Sequence, residues 1–228
     1  MSGRVGGGTC PRAVPHTVAM PPLIDTPHPD EAAALAGVHL RTWLETYPRL
    51  DAGIDAAWIT EHIGPVTSPA GVARWRAVVE EARDRPARMF CRAVRAREGG
   101  EAAGFLCGLR EPDGDGTRAT ATGAPHSEAA AGPGAFVVTL GPMYLLREVR
   151  DRGVGGLLMA DFLAWTGPDP ARLWVTAANE AAIRFYARHG FRPTGEREMW
   201  RGRLPNLRMA RAPHPGGTWA TARPAQSG

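Results

Sequence analysis

Lysine is missing from this sequence, and cysteine and long apolar runs are scarce. All 27 residues counted as Lys plus Arg are arginines, which we attribute to biased genomic composition rather than to a function. Without lysine the chain has no Gly-Lys-Ser/Thr sequence of a P-loop. The three cysteines, Cys10, Cys91 and Cys107, stand far apart, and none belongs to a CxxC pair or lies beside a histidine at metal-ligand spacing. We therefore expect neither a disulfide framework nor a bound metal.

The lack of apolar runs and the mixed charge limit the partners of the protein. No apolar stretch approaches the roughly 20 residues that a transmembrane helix needs, and the N-terminus lacks the apolar core of a secretory signal. The sequence therefore predicts a cytoplasmic protein that does not bind membranes. The arginines are scattered among 23 acidic residues without a basic run interleaved with aromatics, so we expect no nucleic acid. The high pI keeps a nucleic-acid- or partner-binding protein as the weakest of three hypotheses, which a steep salt dependence of binding would favour.

Composition divides the chain into one domain with flexible ends. The 228 residues, 43% of them apolar, suffice for one core. Residues 1–28 and 213–228 are rich in Gly and Pro, which predicts disordered ends and makes Met20 an alternative start of the chain. Residues 29–212 form the predicted domain. Within it, residues 112–134 contain no Leu, Ile, Val, Met, Cys or aromatic residue, which predicts a flexible insertion.

Hydrophobic periodicity predicts three helices followed by strands and further helices. Ala36, Leu40, Trp43 and Tyr47 recur on one face of a helix with its N-cap near Asp30. The remaining helices are predicted over 56–63, 71–83, 153–165 and 180–189, and the strands over 88–97, 101–110, 135–146, 173–177 and two segments after residue 191. A Gly-Pro pair at 141–142 interrupts the third strand, where we expect a bulge or a gap because proline donates no ladder hydrogen bond. This order predicts an α/β fold of the α+β type with a mixed sheet and crossover helices.

Glycines cluster where the third strand gives way to the next helix. Gly153, Gly155 and Gly156 allow close backbone approach, and the free N–H groups of a helix start attract anions. Arg150 and Arg152 add positive charge. The GxGxxG dinucleotide pattern is absent. From the residues alone, an anion site and a tight strand-to-helix turn both stay open.

Two motifs in the C-terminal half resemble the GNAT superfamily of acyl-coenzyme A-dependent N-acyltransferases. Arg150-Asp151-Arg152-Gly153-Val154-Gly155 fits the pyrophosphate loop of that family, Arg/Gln-x-x-Gly-x-Gly/Ala, and the segment Ala178 to Phe191 fits the motif that follows it. The N-terminal helix is also similar, so the resemblance covers about residues 28–212. It implies a mixed, mostly antiparallel central sheet that splays at the cofactor site and is flanked by helices. It also implies acetyl-CoA as the acyl donor and an amine of a small molecule or protein as the acceptor.

The resemblance also implies the residues of the site. Tyr186 matches a tyrosine that points its hydroxyl at the thioester sulfur and acts as general acid, and a plain core aromatic is the less favoured alternative. Asn179, placed to cap the following helix, matches an asparagine that contacts the pantetheine arm. Backbone N–H groups at 143–145, exposed where the strand parts, would polarise the thioester carbonyl. The implied cofactor-binding residues are Tyr144, Leu145, Leu146, Arg150, Asp151, Arg152, Gly153, Val154, Gly155, Gly156 and Asn179.

The general base and the activity itself stay open at this stage. Many members of the family carry a glutamate in the strand before the loop, but Thr139 stands at the matching position. A relayed water, His39 and His189 are the remaining candidates. The missing glutamate favours a second hypothesis, a module of the same fold that binds acyl-CoA without turnover, whereas Tyr186 favours an N-acetyltransferase. No motif indicates the acceptor, the acyl chain or the oligomeric state.

Overall fold

A seven-stranded mixed sheet organises the part of the chain that the computed structural model describes, residues 22–112 and 136–213. Its strands are β1 (Leu23–Asp25), β2 (Met89–Arg95), β3 (Ala102–Pro112), β4 (Phe136–Leu145), β5 (Ala171–Thr176), β6 (Arg192–Trp200) and β7 (Leu204–Arg211). They lie in the order β1-β2-β3-β4-β5-β7-β6. Every neighbouring pair is antiparallel except β4 and β5, which are parallel. The mixed, mostly antiparallel sheet expected from the sequence is confirmed.

Five α-helices accompany the sheet. They are α1 (Ala32–Thr46), α2 (Ala56–Ile63), α3 (Pro69–Asp84), α4 (Val154–Thr166) and α5 (Glu180–Arg188), all within two residues of the predicted bounds. Asp30 does not cap α1; it lies in a 3-10 turn, in which it donates its N–H to the ring of His28 and His28 donates its own to Glu31. Within the described ranges no helix is long and apolar enough to cross a membrane.

The parallel strands β4 and β5 part soon after they begin to pair. Val138 pairs with Ala171 and Thr139 with Arg172, and β4 then runs on to Leu145 without a partner on that side. The sheet therefore splays, as the resemblance implied.

On its other side, β4 stays paired with β3 through a β-bulge. Gly141 and Pro142 together face Cys107 of β3, and regular pairing resumes at Met143. Because proline has no N–H, the bulge removes no donor from the ladder at that position. The bulge predicted from the Gly-Pro pair is confirmed.

Apolar side chains on both faces of the sheet form the main core. On one face, Phe105 of β3 packs against Trp75 of α3, with 4.7 Å between the ring centroids. On the opposite face, Gly108 of the same strand leaves room for Phe162 of α4, since a Cβ at residue 108 would lie 2.5 Å from the Phe162 ring. Helices α3 and α4 thus cover opposite faces, and α1 packs beside α3.

A second, aromatic-rich cluster fastens the C-terminal hairpin to the N-terminal helices. Trp200, at the end of β6, lies 5.0 Å from Trp43 of α1 and 6.0 Å from Trp58 of α2, measured between ring centroids. The buried members of this cluster are Trp43, Ile54, Trp58, Ile59, Ile63 and Leu204. Because they come from both halves of the chain, the cluster joins the start of the domain to its end.

The domain begins earlier than its composition predicts. Residues 22–28, assigned above to a disordered end, contain β1, which pairs antiparallel with β2. This pairing satisfies backbone N–H and C=O groups of the segment, and amino-acid composition carries no information about such hydrogen bonds. Pro112 does not open an insertion but ends β3, opposite Phe136. The rest of the two predicted disordered ends and of the predicted insertion, with Met20, lies outside the described residues.

Arg95 ties the N-terminal segment to the sheet through a buried charge network. Its side chain, only 10% exposed, donates to Asp25 at 3.1 Å, to Glu31 at 2.9 Å and to the carbonyl of Gly100 at 3.2 Å. Burial alone would raise the pKa of Glu31, but hydrogen bonds from Arg95 and from the His28 N–H, with the Arg95 charge, hold that pKa below its ordinary value. The network therefore stabilises the fold at neutral pH, and this contribution is lost as the pH falls through the lowered pKa of Glu31.

We expect Arg95→Met to lower the free energy of unfolding by about 2–3 kcal/mol, because it leaves two partly buried carboxylates without a partner. Chemical denaturation at neutral pH measures the loss, which should shrink in acid as Glu31 takes up a proton. Arg76→Met is the control, since Arg76 and Asp30 form a surface pair, 45% and 74% exposed, and such pairs are worth about 0–1 kcal/mol. Equal losses for the two variants would contradict the network.

Candidate functional site

A groove of about 500 Å³ opens where β4 and β5 part. Its walls come from α1, the end of β4, the loop before α4 and the helix α5. The predicted site residues that line it are Tyr144, Leu145, Arg150, Asp151, Gly153, Gly155, Gly156, Asn179 and Tyr186. The fold thus brings the two motifs, which are separate in sequence, to one cavity.

Three predicted residues do not line the groove. Leu146 is fully buried, and its N–H donates to the carbonyl of Ala103 at 2.8 Å. Val154 is buried in the main core, and Arg152 is exposed outside the groove. The motif is contiguous, but the backbone turns successive side chains in different directions. Part of it therefore builds the loop, and the side chains of these three lie outside the groove lining.

The first turn of α4 presents uncapped backbone N–H groups beside the groove. Its N-cap, Gly153, has a φ of +75° and no side chain that could accept a hydrogen bond from that turn. By contrast, Asp55, Ser68 and Asn179 cap α2, α3 and α5 through their side chains. Asp151, just before α4, also has a left-handed φ of +59°, a conformation that is uncommon outside glycine and concentrated at binding sites. Free N–H groups and the helix dipole suit this end of the groove to an anion.

The side chain of Arg150, which was expected to bind the anion, forms hydrogen bonds within the groove wall. Its Nε donates to the carbonyl of Leu145 at 2.7 Å, and its Nη2 lies 3.1 Å from both Glu45 Oε2 and Thr46 Oγ1. The same Glu45 carboxylate accepts from the backbone N–H of Arg147 at 3.0 Å. These contacts hold the end of α1 against the loop between β4 and α4, and Glu45 offsets the charge of Arg150.

Sequence reasoning did not assign several groove residues to the site, because three precede both motifs and two lie in the second motif without a predicted role. They are Thr42, Thr46, Tyr47, Phe185 and Arg188. Arg188 lies with its guanidinium 6.0 Å from the centre of the Phe185 ring and forms no ion pair with a carboxylate of the described residues. Its charge is therefore available to an anion in the groove. Residues 182, 185, 186 and 189 recur at the spacing of one helix face, from α5 to its C-cap, and this spacing was the sequence signal that α5 turns one face toward the groove.

Two backbone N–H groups of β4 face the groove. Successive residues of an antiparallel strand alternate between bonding the neighbour and facing away from it. The N–H of Leu146 bonds to β3, so by alternation that of Tyr144 does too, while those of Met143 and Leu145 face away from β3. Because β5 has already parted from β4 here, these two donors are free for a ligand.

All three tyrosines of the chain, Tyr47, Tyr144 and Tyr186, line this groove. The hydroxyl of Tyr144 accepts a hydrogen bond from Trp43 Nε1 at 2.8 Å, and the side chains of Asn179 and Thr176 partly offset the effect of burial on the pKa of Tyr47. Burial raises the pKa of each tyrosine, and for Tyr186 the neighbouring Tyr47 raises it further. The Tyr186 hydroxyl is therefore protonated at neutral pH.

The candidate bases differ in their relation to the groove. Thr139 lies before the splay, and its hydroxyl accepts from Arg172 Nε at 3.2 Å. His39 lies outside the groove lining, 4.8 Å from the ring of Tyr144, and burial lowers its pKa to about 4. His189 lines the groove, but its Nδ1 is 2.9 Å from a backbone carbonyl of α5, which leaves Nε2 as the nitrogen available to a proton.

Thr42 carries a buried hydroxyl that has no hydrogen-bond partner within the described residues. The residue is 4% exposed and lines the groove from α1. A buried hydroxyl without a partner costs about 1–3 kcal/mol. Among the described side chains that bear such an unpaired buried atom, Thr42 alone lines the groove.

Known proteins share both the sequence pattern and the fold. A family model described as the acetyltransferase (GNAT) family matches residues 50–191. A search of curated protein sequences found no match. The PaiA N-acetyltransferase of Thermoplasma acidophilum, solved in complex with coenzyme A, superposes with a TM-score of 0.59 at 17% identity over 85% of this chain and 99% of that one.

Two further structures agree with this fold. A GNAT-family acetyltransferase of Streptococcus pneumoniae gives a TM-score of 0.57 at 16% identity over 85% of this chain and all (100%) of that one. NAA60 of Arabidopsis thaliana, solved in complex with acetyl-CoA, gives 0.51 at 16% identity over 83% and 98% of the two chains. At such identities the likeness shows the fold.

The raised pKa values predict an unusual alkaline titration. Free tyrosine ionises near pH ~10, so we expect the unfolded protein to show half of its tyrosinate absorbance there and the folded protein almost none. Ultraviolet absorbance during a pH titration, with and without denaturant, measures this. Because the folded-state pKa values are raised, the stability that they contribute is lost as the pH rises above about 10. One folded-state tyrosine with an ordinary pKa would contradict the burial of that side chain.

Proposed function

Because the chain belongs to the GNAT acetyltransferase family, we propose that it transfers an acetyl group from acetyl-CoA directly to a primary amine of a small molecule or protein. The observation that carries this proposal is the groove itself. It joins an uncapped helix start at one end to free strand N–H groups and a protonated tyrosine at the other. An acyl-CoA presents phosphates and a thioester, which need these two kinds of partner.

The phosphate end of the groove fits the pyrophosphate of the donor. A Cβ added at Gly155 would lie 3.4 Å from the Phe185 ring and 3.6 Å from Met143, so any side chain there would occupy the groove floor. At Gly156 an added Cβ would meet nothing within 4 Å, which leaves the backbone open to a ligand. In this proposal the N–H groups of the first turn of α4 bind the pyrophosphate, and Arg188 supplies positive charge beside them.

The thioester end supplies the groups that acyl transfer requires. A neutral amine attacks the carbonyl carbon, and the N–H groups of Met143 and Leu145 stabilise the oxyanion that forms. When the carbon–sulfur bond breaks, the thiolate leaves with the electron pair and takes a proton from the Tyr186 hydroxyl. The amine's own proton passes to water or to Nε2 of His189, because Thr139 is bonded to Arg172 and His39 lies outside the groove.

One observation favours a second candidate function, an acyl-CoA-binding sensor without turnover. The position at which many family members carry a glutamate holds Thr139, a neutral hydroxyl engaged by a guanidinium. Such a module would bind the donor as tightly as an enzyme does but would release no free thiol in the presence of amines.

Donor binding is tested by the thermal shift that acetyl-CoA causes. A ligand at a hundred times its dissociation constant adds about 2.7 kcal/mol to the stability of the folded state. We expect Gly155→Val to abolish this shift, because the valine side chain fills the space that the phosphates need. Gly37→Val is the matched control, since Gly37 lies in α1 with nothing within 4 Å of its added Cβ. A shift of wild-type size in the Gly155→Val protein would place the donor elsewhere.

Turnover is tested by release of free thiol from acetyl-CoA in the presence of small amines, peptides and aminoglycosides. We expect at least one class to be acetylated, and Tyr186→Phe to lower kcat by roughly 10²-fold while leaving donor affinity unchanged, since a lost acid costs about 10²–10⁴-fold. The substitution keeps the ring, which is 8% exposed and packed in the core, so folding is preserved. Binding without release for every acceptor would favour the sensor, and a kcat within about twofold of wild type would show that Tyr186 only packs.

A further inference from the structure

The unpartnered hydroxyl of Thr42 lies at the thioester end of the groove. We propose that Thr42 Oγ1 donates a hydrogen bond to the acyl carbonyl oxygen of the donor and so acts beside the strand N–H groups as a further catalytic residue. This inference rests on the proposed function. It goes beyond the two sequence motifs, because Thr42 belongs to α1 and to neither of them.

The position of Thr42 follows from its neighbours along α1. Thr46, one turn later, touches the Arg150 side chain, which belongs to the phosphate loop. Each turn of a helix advances about 5.4 Å, so Thr42 lies one turn away from that loop. The next residue, Trp43, donates to the hydroxyl of Tyr144. Thr42 therefore lies on the turn of α1 that contacts the Tyr144 side chain, and it lines the same groove as Met143 and Leu145, whose N–H groups are free.

Two other polar side chains of the groove have partners. The Tyr144 hydroxyl accepts from Trp43, and Asn179 Oδ1 accepts from the N–H of Ala182 at 3.1 Å. Thr42 differs from them, because its buried oxygen has none in the described residues. Because Thr42 Oγ1 has almost no accessible surface in the ligand-free protein, the proposed contact requires the side chain to turn toward the groove when the donor binds, and the carbonyl oxygen then supplies the acceptor that this hydroxyl lacks.

A helical threonine elsewhere shows what a satisfied hydroxyl looks like. Thr166, at the end of α4, is fully buried and donates to the carbonyl of Phe162 at 2.9 Å. It lies outside the groove. The two residues thus provide a matched pair, one with a partner in the protein and one without.

Valine substitutions at these two positions separate a ligand contact from a packing role. Valine has nearly the shape of threonine but lacks the hydroxyl. Thr42→Val should raise the melting temperature of the free protein, because it removes an unpaired buried group, whereas Thr166→Val should lower it. The same Thr42→Val change should weaken acetyl-CoA binding. The threonine would thus lower the stability of the free protein while improving its affinity for the donor.

The decisive measurement compares the affinities of acetyl-CoA and CoA, by calorimetry, for the wild type and each variant. CoA has no acyl carbonyl. We expect Thr42→Val to weaken acetyl-CoA binding by about 5- to 10-fold, the size of one ordinary hydrogen bond, and to leave CoA binding within about twofold. Thr42→Ser should restore the wild-type ratio, and Thr166→Val should not change it. With an identified acceptor, kcat of Thr42→Val should fall by roughly 10²-fold, as for other oxyanion donors.

Three results would overturn the inference. Equal weakening of both ligands by Thr42→Val would show that the residue only shapes the groove. Wild-type affinity of Thr42→Val for both ligands would show that its hydroxyl does not meet the carbonyl, while the donor site itself would stand. A wild-type protein that binds neither acetyl-CoA nor CoA would remove the proposed function and this inference with it.

Discussion

The separation of β4 from β5 after Thr139 is the constraint on which the rest of the structure depends. A strand that loses its neighbour exposes N–H and C=O groups, and groups buried in this way need other partners. The bulge at Gly141 and Pro142 lies where β4 has parted from β5 but still pairs with β3 on either side, and proline brings no N–H to that stretch. Beyond it, the N–H groups of Met143 and Leu145 have no partner in a strand or side chain among residues 22–112 and 136–213. The groove is thus defined by backbone donors that the sheet itself leaves unused.

A sheet that opens at its centre needs contacts between the elements on either side of the opening. Polar side chains of the two motifs form such ties with residues at the end of α1. Arg150 holds the loop before α4 to Glu45 near the end of α1, and Tyr47, just after α1, interacts with Asn179 at the start of α5. The aromatic cluster around Trp43 and Trp200 fixes the C-terminal hairpin to the same helix. Helix α1 is therefore connected to both sides of the splay. A change in any of these ties would alter the width of the groove without touching the donor.

Local chemistry explains which features the sequence predicts. Glycines at a helix start, a Gly-Pro pair in a strand and an asparagine N-cap each act within a few residues of themselves, and each appears in the structure where it was expected. Thr42 and Arg188 became visible only after folding, because their importance depends on which residues lie across the groove. For the same reason the ion pair of Arg150 could not be predicted, since its partner Glu45 is more than a hundred residues away in sequence. The same reason applies to β1, since strand pairing with β2 overrides a Pro-rich composition.

The burial of Tyr186 acts on its chemistry in two opposing ways. Raising its pKa keeps the hydroxyl protonated but makes it a weaker acid, while an ordinary thiol has a pKa of about 8.5, so complete proton transfer to the thiolate is uphill within the groove. The same low-polarity surroundings strengthen the hydrogen bond that the hydroxyl donates to a sulfur carrying negative charge. In the proposed reaction, Tyr186 therefore lowers the barrier chiefly by stabilising the thiolate as it forms, and the proton completes its transfer as the product leaves for water. In this respect it acts on the leaving group as the N–H groups of β4 act on the oxyanion, and in both cases low-polarity surroundings strengthen the hydrogen bond.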